Sequence, residues 1–452
     1  MYIIVAGVGK IGENLAKCLT DEGHDLVVID KDPNIVETVV NKYDIMGICG
    51  NAASYAVQLE AGVKKADLLI SVTPSDELNI VCCLVAKTAG ARRTMARVRN
   101  PEYGSQLQLM RNELGLSMFV NPELEGATEM ARMLRFPSAI KMDSFSKGRV
   151  EIAEIKISQN GELAGKAISR LHLEYTFKVL ICAVLREGNV TIPNGNFVLQ
   201  SGDIIYITGS KKNITGFLKE LHLFKKKTSK VLIIGGGRIS YYLAKQLEYT
   251  DMHITLIEKD EDRCVQLNES LPKVTVIKGD GSDQNLLREE GLEHYDSCVA
   301  LTGIDEENMV IAMYAQKLNV PQVIAKINRE TFLEMIRGIG IDSVISPKAI
   351  TADRIIRYIR AIENSGKGNV KTLYRLIDDQ MEALEFTVPD DSRIVGKNLA
   401  DLKLKPNILV SNIIRHPSAI ITPTGYDHME AGDSVIIITT NQYFHDLTDI
   451  LA

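Results

Sequence analysis

Residues Tyr2–Gly12 read YIIVAGVGKIG, a β-branched apolar run closed by Gly7, Gly9 and Gly12. Glu13–Leu19 then carries apolar residues at helical spacing, so the stretch is strand, glycine turn and helix. A turn this tight needs positive φ at Gly7, and a diphosphate reaches the backbone only if Gly9 lacks a side chain. Gly12 lets the helix lie against the strand. The free N–H groups and positive dipole end of that helix would face the anion. Glycine turns also serve plain packing, so the surroundings have to decide.

A second apolar run, Leu26–Ile29 (LVVI), ends in Asp30, 18 residues beyond Gly12. An acid at that distance is placed to receive the ribose hydroxyls of NAD or another adenine nucleotide, and it repels a 2′-phosphate, which disfavours NADP. The plainer reading of Asp30 is a solvated strand end.

The chain of 452 residues is too long for one ordinary core and suggests three or four domains. Its 45% hydrophobic and 24% charged residues are those of a globular protein. A net charge of −6 gives no general attraction to nucleic acid or acidic lipid, so neither is expected as a partner. The seven cysteines are scattered without a CxxC pair and read as reduced core residues, with no metal site expected. The first strand begins almost at Met1, leaving no room for a signal peptide, and no apolar run approaches the roughly 20 residues needed to cross a bilayer. A cytoplasmic protein is expected, one still able to sit against a membrane protein.

The same text is written twice. LIIGGGRISYYLAKQL at Leu232–Leu247 restates the opening, with Gly7 mapping to Gly235, Gly9 to Gly237 and Asp30 to Glu258 at an offset of 228. From there the offset is 229, taking Thr73 to Thr302, Asp76 to Asp305, Asn79 to Asn308 and Arg97 to Lys326. An offset held over so long a stretch means two tandem copies of one fold. Copy one continues with a helix from about Pro33, a strand at Ile45–Cys49 entering GNAAS, a strand at Asp67–Val72 entering TPSDELN, a helix through Cys82 and Ala86, and a strand at Thr94–Val98. Strands alternating with helices form a parallel, doubly wound sheet, whose ligands bind beyond the carboxyl ends of the strands. Gly7, Asp30, Thr73 and Arg97 all fall at that edge. Arg97 and Lys326 either neutralise phosphates there or are solvated strand ends. Asp76 and Glu77 either bind or simply favour the dipole of the helix they begin.

Around Phe136-Pro137, and again at Ser365–Gly368, helical periodicity stops and alternating segments follow: VEIAEIKIS, KVLICAVLREGNV and LQSGDIIYITG in one case, ALEFTV, NILVSNIIR and AGDSVIIITT in the other. These are small β-rich modules in which Gly202-Asp203 and Gly432-Asp433 turn into a buried last strand. The run Lys225–Lys227 reads as a solvated linker between the halves. The fold class expected is therefore α/β: two tandem Rossmann-like doubly wound parallel sheets, each followed by a small α+β module. The copies differ at the third glycine, where Ser240 stands for Gly12 and predicts a slightly displaced helix. GDGSD puts Asp280 and Gly281 where copy one has Asn51 and Ala52, and these four are counted among the expected cofactor contacts.

A glycine turn, an acid after strand 2, T-x-x-D-E-x-N after strand 4, a basic strand 5 and a trailing Gly-Asp module, all twice over, closely resemble the TrkA family of the Trk potassium uptake systems, in the form with two RCK N-terminal and two RCK C-terminal domains. The resemblance covers essentially the whole chain and implies boundaries of 1–120, 138–223, 228–348 and 368–452. It implies cofactor contacts at Gly7, Val8, Gly9, Lys10, Ile11, Gly12, Asp30, Thr73, Pro74 and Arg97, and in the second copy at Gly235, Gly236, Gly237, Arg238, Ile239, Glu258, Thr302, Gly303 and Lys326. It further implies NAD(H), with ATP or ADP as further ligands, and a homo-oligomer, a tetramer or ring. The partner implied is a Trk-type membrane channel or transporter subunit. Through that partner alone the protein would sit at the inner face of the cell membrane.

Two functions from different classes fit these residues. One is a nucleotide-gated regulatory subunit, in which a ligand shifts the packing of the lobes through its differential affinity. The other is a nicotinamide-dependent dehydrogenase, which requires a substrate domain bringing a proton donor to the cofactor. The β-modules are too small for that domain, and the eight histidines form no spaced catalytic or metal motif. The switch, and no enzyme, is the expectation.

Overall fold

A computed structural model of the chain describes residues 1–104, 115–135, 141–145, 150–157, 161–177, 179–221, 228–329, 332, 341, 343–364, 370–377, 380–415, 419–441, 444 and 446–452. The anticipated breaks at Phe136-Pro137 and Ser365–Gly368 and the run Lys225–Lys227 lie outside these residues.

The first sheet contains β1 (Tyr2–Ala6), β2 (Asp25–Asp30), β3 (Met46–Cys49), β4 (Leu68–Ser71), β5 (Arg93–Arg97) and β6 (Met118–Val120). Its order is β3-β2-β1-β4-β5-β6, with every pair parallel. The chain reverses its winding between β1 and β4, and a doubly wound sheet opens its ligand crevice at that point. β1, β2 and β4 are apolar on both faces because helices cover both, which is why they read as continuous Val, Ile and Leu. The first β-module follows with β7 (Lys141–Phe145), β8 (Val150–Lys156), β9 (Leu180–Arg186), β10 (Asn189–Thr191) and β11 (Ile204–Ser210), an antiparallel sheet ordered β10-β9-β11-β8-β7.

The second half repeats both. β12 (Lys230–Ile234), β13 (His253–Glu258), β14 (Val274–Lys278), β15 (Ser297–Ala300), β16 (Gln322–Lys326) and β17 (Ser343–Ile345) form a parallel sheet ordered β14-β13-β12-β15-β16-β17. β18 (Val370–Leu376), β19 (Met381–Thr387), β20 (Ile408–Arg415), β21 (Ala419–Ile421) and β22 (Ser434–Thr439) form the second module in the order β18-β19-β22-β20-β21. The fold class is as expected, and strands 1 to 5 of copy one lie within a residue of their anticipated bounds, while β6 and β17 were not anticipated.

The chain divides into two units, and each draws on both halves of the sequence: Met1–Leu134 with Thr228–Ile356, and Arg135–Lys227 with Arg357–Ala452. In the first unit, the helix Pro122–Arg135 of copy one buries Ala127, Met130, Ala131 and Leu134 in one cluster with Val231, Ile233, Leu243, Leu247 and Val299 of copy two. A helix from one copy thus covers the sheet of the other. In the second unit, Ile152, Cys182 and Tyr206 of the first module share a cluster with Met381, Ile414 and Ile438 of the second. There the Thr208 hydroxyl donates to Asn412 Oδ1 at 2.9 Å.

The Gly-Asp turns have the anticipated geometry, with φ of +89° at Gly202 and +82° at Gly432. Each places a buried Asp against an arginine, Asp203 with Arg186 at 2.7 Å and Asp433 with Arg415 at 2.9 Å, before the central strands β11 and β22. The cysteine expectation needs correction. Cys82, Cys83, Cys182 and Cys298 are buried, and burial lifts the Cys182 and Cys298 thiols to about 12, but Cys49 is exposed and Cys18 and Cys264 are half-buried. Cys49 ends β3, an edge strand of its sheet in which Met46 and Gly47 are exposed as well and only Ile48 is buried.

Candidate functional site

The first glycine turn is shaped by its neighbours on β4 and on the following helix. Gly7 has φ +92°, and a Cβ there would come within 2.8 Å of the Thr73 backbone nitrogen, so no other residue fits. A Cβ on Gly12 would meet the Gly7 carbonyl at 2.0 Å, while nothing lies within 4 Å of one built on Gly9. The first and third glycines are therefore forced by packing, and the second opens onto free space at the start of the helix Lys10–Asp21. Helix dipole and unbonded N–H groups converge on that space. Asp30 closes the other side: its carboxylate accepts from Val8 N at 2.7 Å and Asp32 N at 3.1 Å.

The facing wall is pinned by Asn79, which is wholly buried. Its Oδ1 accepts from Thr73 N at 2.8 Å, the Thr73 hydroxyl at 2.7 Å and the Ser71 hydroxyl at 2.9 Å, and its amide nitrogen donates to the carbonyls of Thr73 (3.1 Å) and Arg97 (2.9 Å). One side chain thus ties the end of β4 to the end of β5. Arg97 is 9% exposed, which overturns the reading of a solvated strand end. Its guanidinium donates to the Thr73 carbonyl at 2.5 Å, its Nε is buried without a partner, and burial draws its pKa down to about 10, ahead of the nearby Arg99. At neutral pH it stays charged. This buried cation with an unused donor is bonded to Thr73, the residue that faces Gly7 of the turn, and its charge complements a phosphate-bearing ligand. Asp76 is taken up structurally, accepting from the backbone N–H groups of Arg99 and Asn100, both at 2.8 Å.

The second crevice repeats this plan with other side chains. Glu258 accepts from Gly236 N at 2.5 Å and Asp260 N at 2.8 Å, Gly235 has φ +97°, and Gly237 has open space where a Cβ would be. Asn308 accepts from Thr302 N at 2.8 Å and donates to the Lys326 carbonyl at 3.0 Å. Lys326 is half-buried, donates to the Thr302 carbonyl, and has its pKa lowered by burial. The Ser240 hydroxyl donates to the Gly235 carbonyl, the counterpart of the Gly7 carbonyl that a Cβ at Gly12 would strike. Arg263 stands three residues past the helix cap Asp260, where copy one has Ile35 three residues past the equivalent cap Asp32, and it donates to the Gly236 carbonyl at 2.8 Å. Asn51 and Asp280 are engaged in closing their own loops, accepting from Ala53 N (3.1 Å) and Ser282 N (2.9 Å), while Ala52 is buried and a Cβ on Gly281 would meet Ile234. Lys10, Ile11, Pro74, Arg238, Ile239 and Gly303 lie on the two turns and the loops facing them.

The exchanged helices bring further charges. Glu123, at the start of the Pro122–Arg135 helix, has a buried and unpartnered Oε2. Burial raises its pKa against the pull of its own backbone N–H and of Arg99, Arg97 and Arg238. Arg238 belongs to the second glycine turn, so the two crevices share this charge cluster. On the other side Lys348, at the start of Pro347–Asn364, is pushed down by burial and by Lys10 of the first turn.

The TrkA-N domain model matches residues 3–122 and 231–347, and the TrkA-C domain model matches residues 152–234 and 383–452. The chain belongs to the TrkA family. Among TrkA relatives, the Trk system potassium uptake protein TrkA homolog 1 of Methanosarcina mazei is 32% identical over 451 residues, covering 97% of both chains. The Trk system potassium uptake protein TrkA of Haemophilus influenzae is 32% identical over 450 residues, covering 98% of this chain and 96% of its own. The fold is that of the crystal structure of the GsuK RCK domain, with a TM-score of 0.63 at 20% identity over 97% of this chain and 92% of that one. It is also that of the GsuK channel bound to NAD, with a TM-score of 0.62 at 20% identity over 97% and 76% of the two chains. In this TrkA chain the residues that sequence reading passed over are Arg99, Glu123, Tyr242, Arg263 and Lys348. Only Arg263 carried a signal, as a charged residue where the other copy is apolar.

Proposed function

We propose that the chain is a nucleotide-responsive regulatory subunit of a potassium-transport system. The observation that carries this is the doubled crevice: an open glycine turn at a helix N-terminus, an acid bonded to the turn, and on the opposite strand end a cation that is buried in the first crevice and half-buried in the second. Gly9 with free space, the unpartnered Nε of Arg97 and the acid Asp30 fit the diphosphate and ribose of NAD(H), ADP or ATP. The contacts we assign in the first crevice are the turn Gly7–Gly12, Asp30, Thr73, Pro74 and Arg97, and in the second the turn Gly235–Ile239, Glu258, Thr302, Gly303 and Lys326. The family's Trk potassium uptake proteins and the structures of the GsuK channel bound to NAD and of GsuK bound to ADP support the reading.

In this proposal a bound nucleotide favours one packing of the first unit over another, by the difference in its affinity for the two. The chain works as a homo-oligomer, a tetramer or ring, against the cytoplasmic face of a membrane potassium subunit. The domains proposed are 1–120, 138–223, 228–348 and 368–452. Among the described residues no helix is long and apolar enough to cross a membrane, so membrane association runs through the partner. No chemistry is done on the cofactor. Calorimetry with NADH, ADP and ATP on the full chain should show binding, and NADH should survive incubation with a broad panel of carbonyl substrates. Absence of binding by all three would overturn the proposal, as would robust NADH oxidation.

A further inference from the structure

The helix Arg238–Leu247 starts at the second glycine turn, and one turn along it Tyr242 leaves its own half of the sequence. The Tyr242 hydroxyl donates to the Arg99 carbonyl at 2.9 Å and accepts from Asn121 Nδ2 at 3.0 Å. Arg99 in turn holds the wall of the first crevice: its N–H donates to Asp76 Oδ2 at 2.8 Å, its Nε to Asp76 Oδ1 at 3.3 Å, and its guanidinium to the Pro74 carbonyl. Pro74 follows Thr73, whose carbonyl takes the Arg97 guanidinium. An unbroken run of bonds therefore leads from the anion-binding end of the second helix to the phosphate-facing cation of the first crevice.

Among the described residues the route has no mirror image. The residue of copy one equivalent to Tyr242 is Asn14, whose side chain accepts only from Cys18 Sγ, at 3.5 Å, among the described residues. We propose that Tyr242 is a positioning residue that couples the two nucleotide crevices, so that filling the second sets the wall of the first and tightens its hold on an adenine nucleotide. This rests on the reading that both crevices bind nucleotide. A ligand at the second turn fixes the axial position of its helix through the helix N–H groups. Through Tyr242 that also fixes Arg99 and Pro74, so the first ligand has less ordering left to do, and by linkage the benefit is mutual.

The test is calorimetry of ADP with the full-length protein. Gly237→Trp, whose indole fills the open space at the second turn, reports the first site alone, and Gly9→Trp in the same way the second alone. The product of the two stepwise association constants of the wild type, divided by the product of these single-site constants, is the coupling factor. We expect it to be about fivefold or more. Tyr242→Phe, which keeps the ring against Tyr241 at 5.7 Å between centroids, should bring the factor to within about twofold of one, measured in the same three backgrounds. Asn14→Ala should leave it unchanged. A merely structural Tyr242 would change stability or the single-site constants without touching the ratio. A wild-type factor of one, or a factor surviving Tyr242→Phe, overturns the coupling while leaving the nucleotide reading intact. Failure of the wild type to bind ADP overturns the coupling, and failure to bind ADP, ATP and NADH alike overturns both.

Discussion

Gly12→Ser asks whether the first glycine turn is held at its present spacing by packing. A Cβ at Gly12 would stand 2.0 Å from the Gly7 carbonyl oxygen, against 3.4 Å for the start of ordinary contact, so the helix must retreat by about 1.4 Å or the turn must deform. Overpacking of this kind costs about 1–3 kcal/mol. The new hydroxyl can donate to the same carbonyl, as Ser240 does in the second copy, and recovers about 1 kcal/mol. The net loss expected is about 0–2 kcal/mol of stability. Binding should suffer more, because the retreating N-terminus draws its N–H groups away from the diphosphate. Losing one hydrogen bond to a charged group weakens ADP by about 1.5–3 kcal/mol, or tenfold and upward. Ser240→Gly is the internal control, expected to lose stability by about 1 kcal/mol because it removes a buried hydroxyl from its acceptor. The chain contains no tryptophan, so urea unfolding is followed by circular dichroism, and ADP binding by calorimetry in a Glu258→Ala background. Wild-type stability together with wild-type ADP affinity in Gly12→Ser would refute the account of the turn.

Three further outcomes are expected. Asp30→Ala removes the acceptor for Val8 N and for the ribose, and should weaken ADP at the first site by about 1–3 kcal/mol; equal affinity in calorimetry would end the ribose assignment. Asn79→Ala leaves five buried hydrogen bonds without their centre and should cost about 3 kcal/mol or more, read as a lower thermal midpoint; an unmoved midpoint would deny Asn79 its pinning role. Glu123 has its pKa raised in the folded state, so the native protein holds the proton longer than the unfolded chain does, and its contribution to stability falls as pH rises from its ordinary 4.5 through the folded value. The midpoint of Glu123→Gln minus that of the wild type should therefore grow from pH 4 toward pH 7, and a flat difference would show that burial does not govern this carboxyl.

What the sequence made legible was local. Three glycines, an acid at fixed distance and an offset kept through Asn308 name a strand, a turn and a facing wall, because each of those constraints acts within a few residues. Arg97 was open to two readings because its position ends a strand whichever way the side chain is surrounded; only the sheet shows it buried beneath Thr73. β6 and β17 are three residues each, too short for periodicity to speak. The Pro122–Arg135 helix shows an apolar face in its sequence, but amphipathicity does not say whose sheet the face covers. For the same reason Glu123 and Tyr242 carried no signal: each acts across the boundary between the copies.

The borrowed helix bears on the symmetry of the molecule. One copy by itself would have a bare sheet and an apolar helix without a sheet to cover, a deficit that a second, identical chain trading the same helix would make good. Identical chains must carry identical pockets. Two copies in one chain are free of that constraint, and with Ser240 and Arg263 on one side alone the receptor has two different ears.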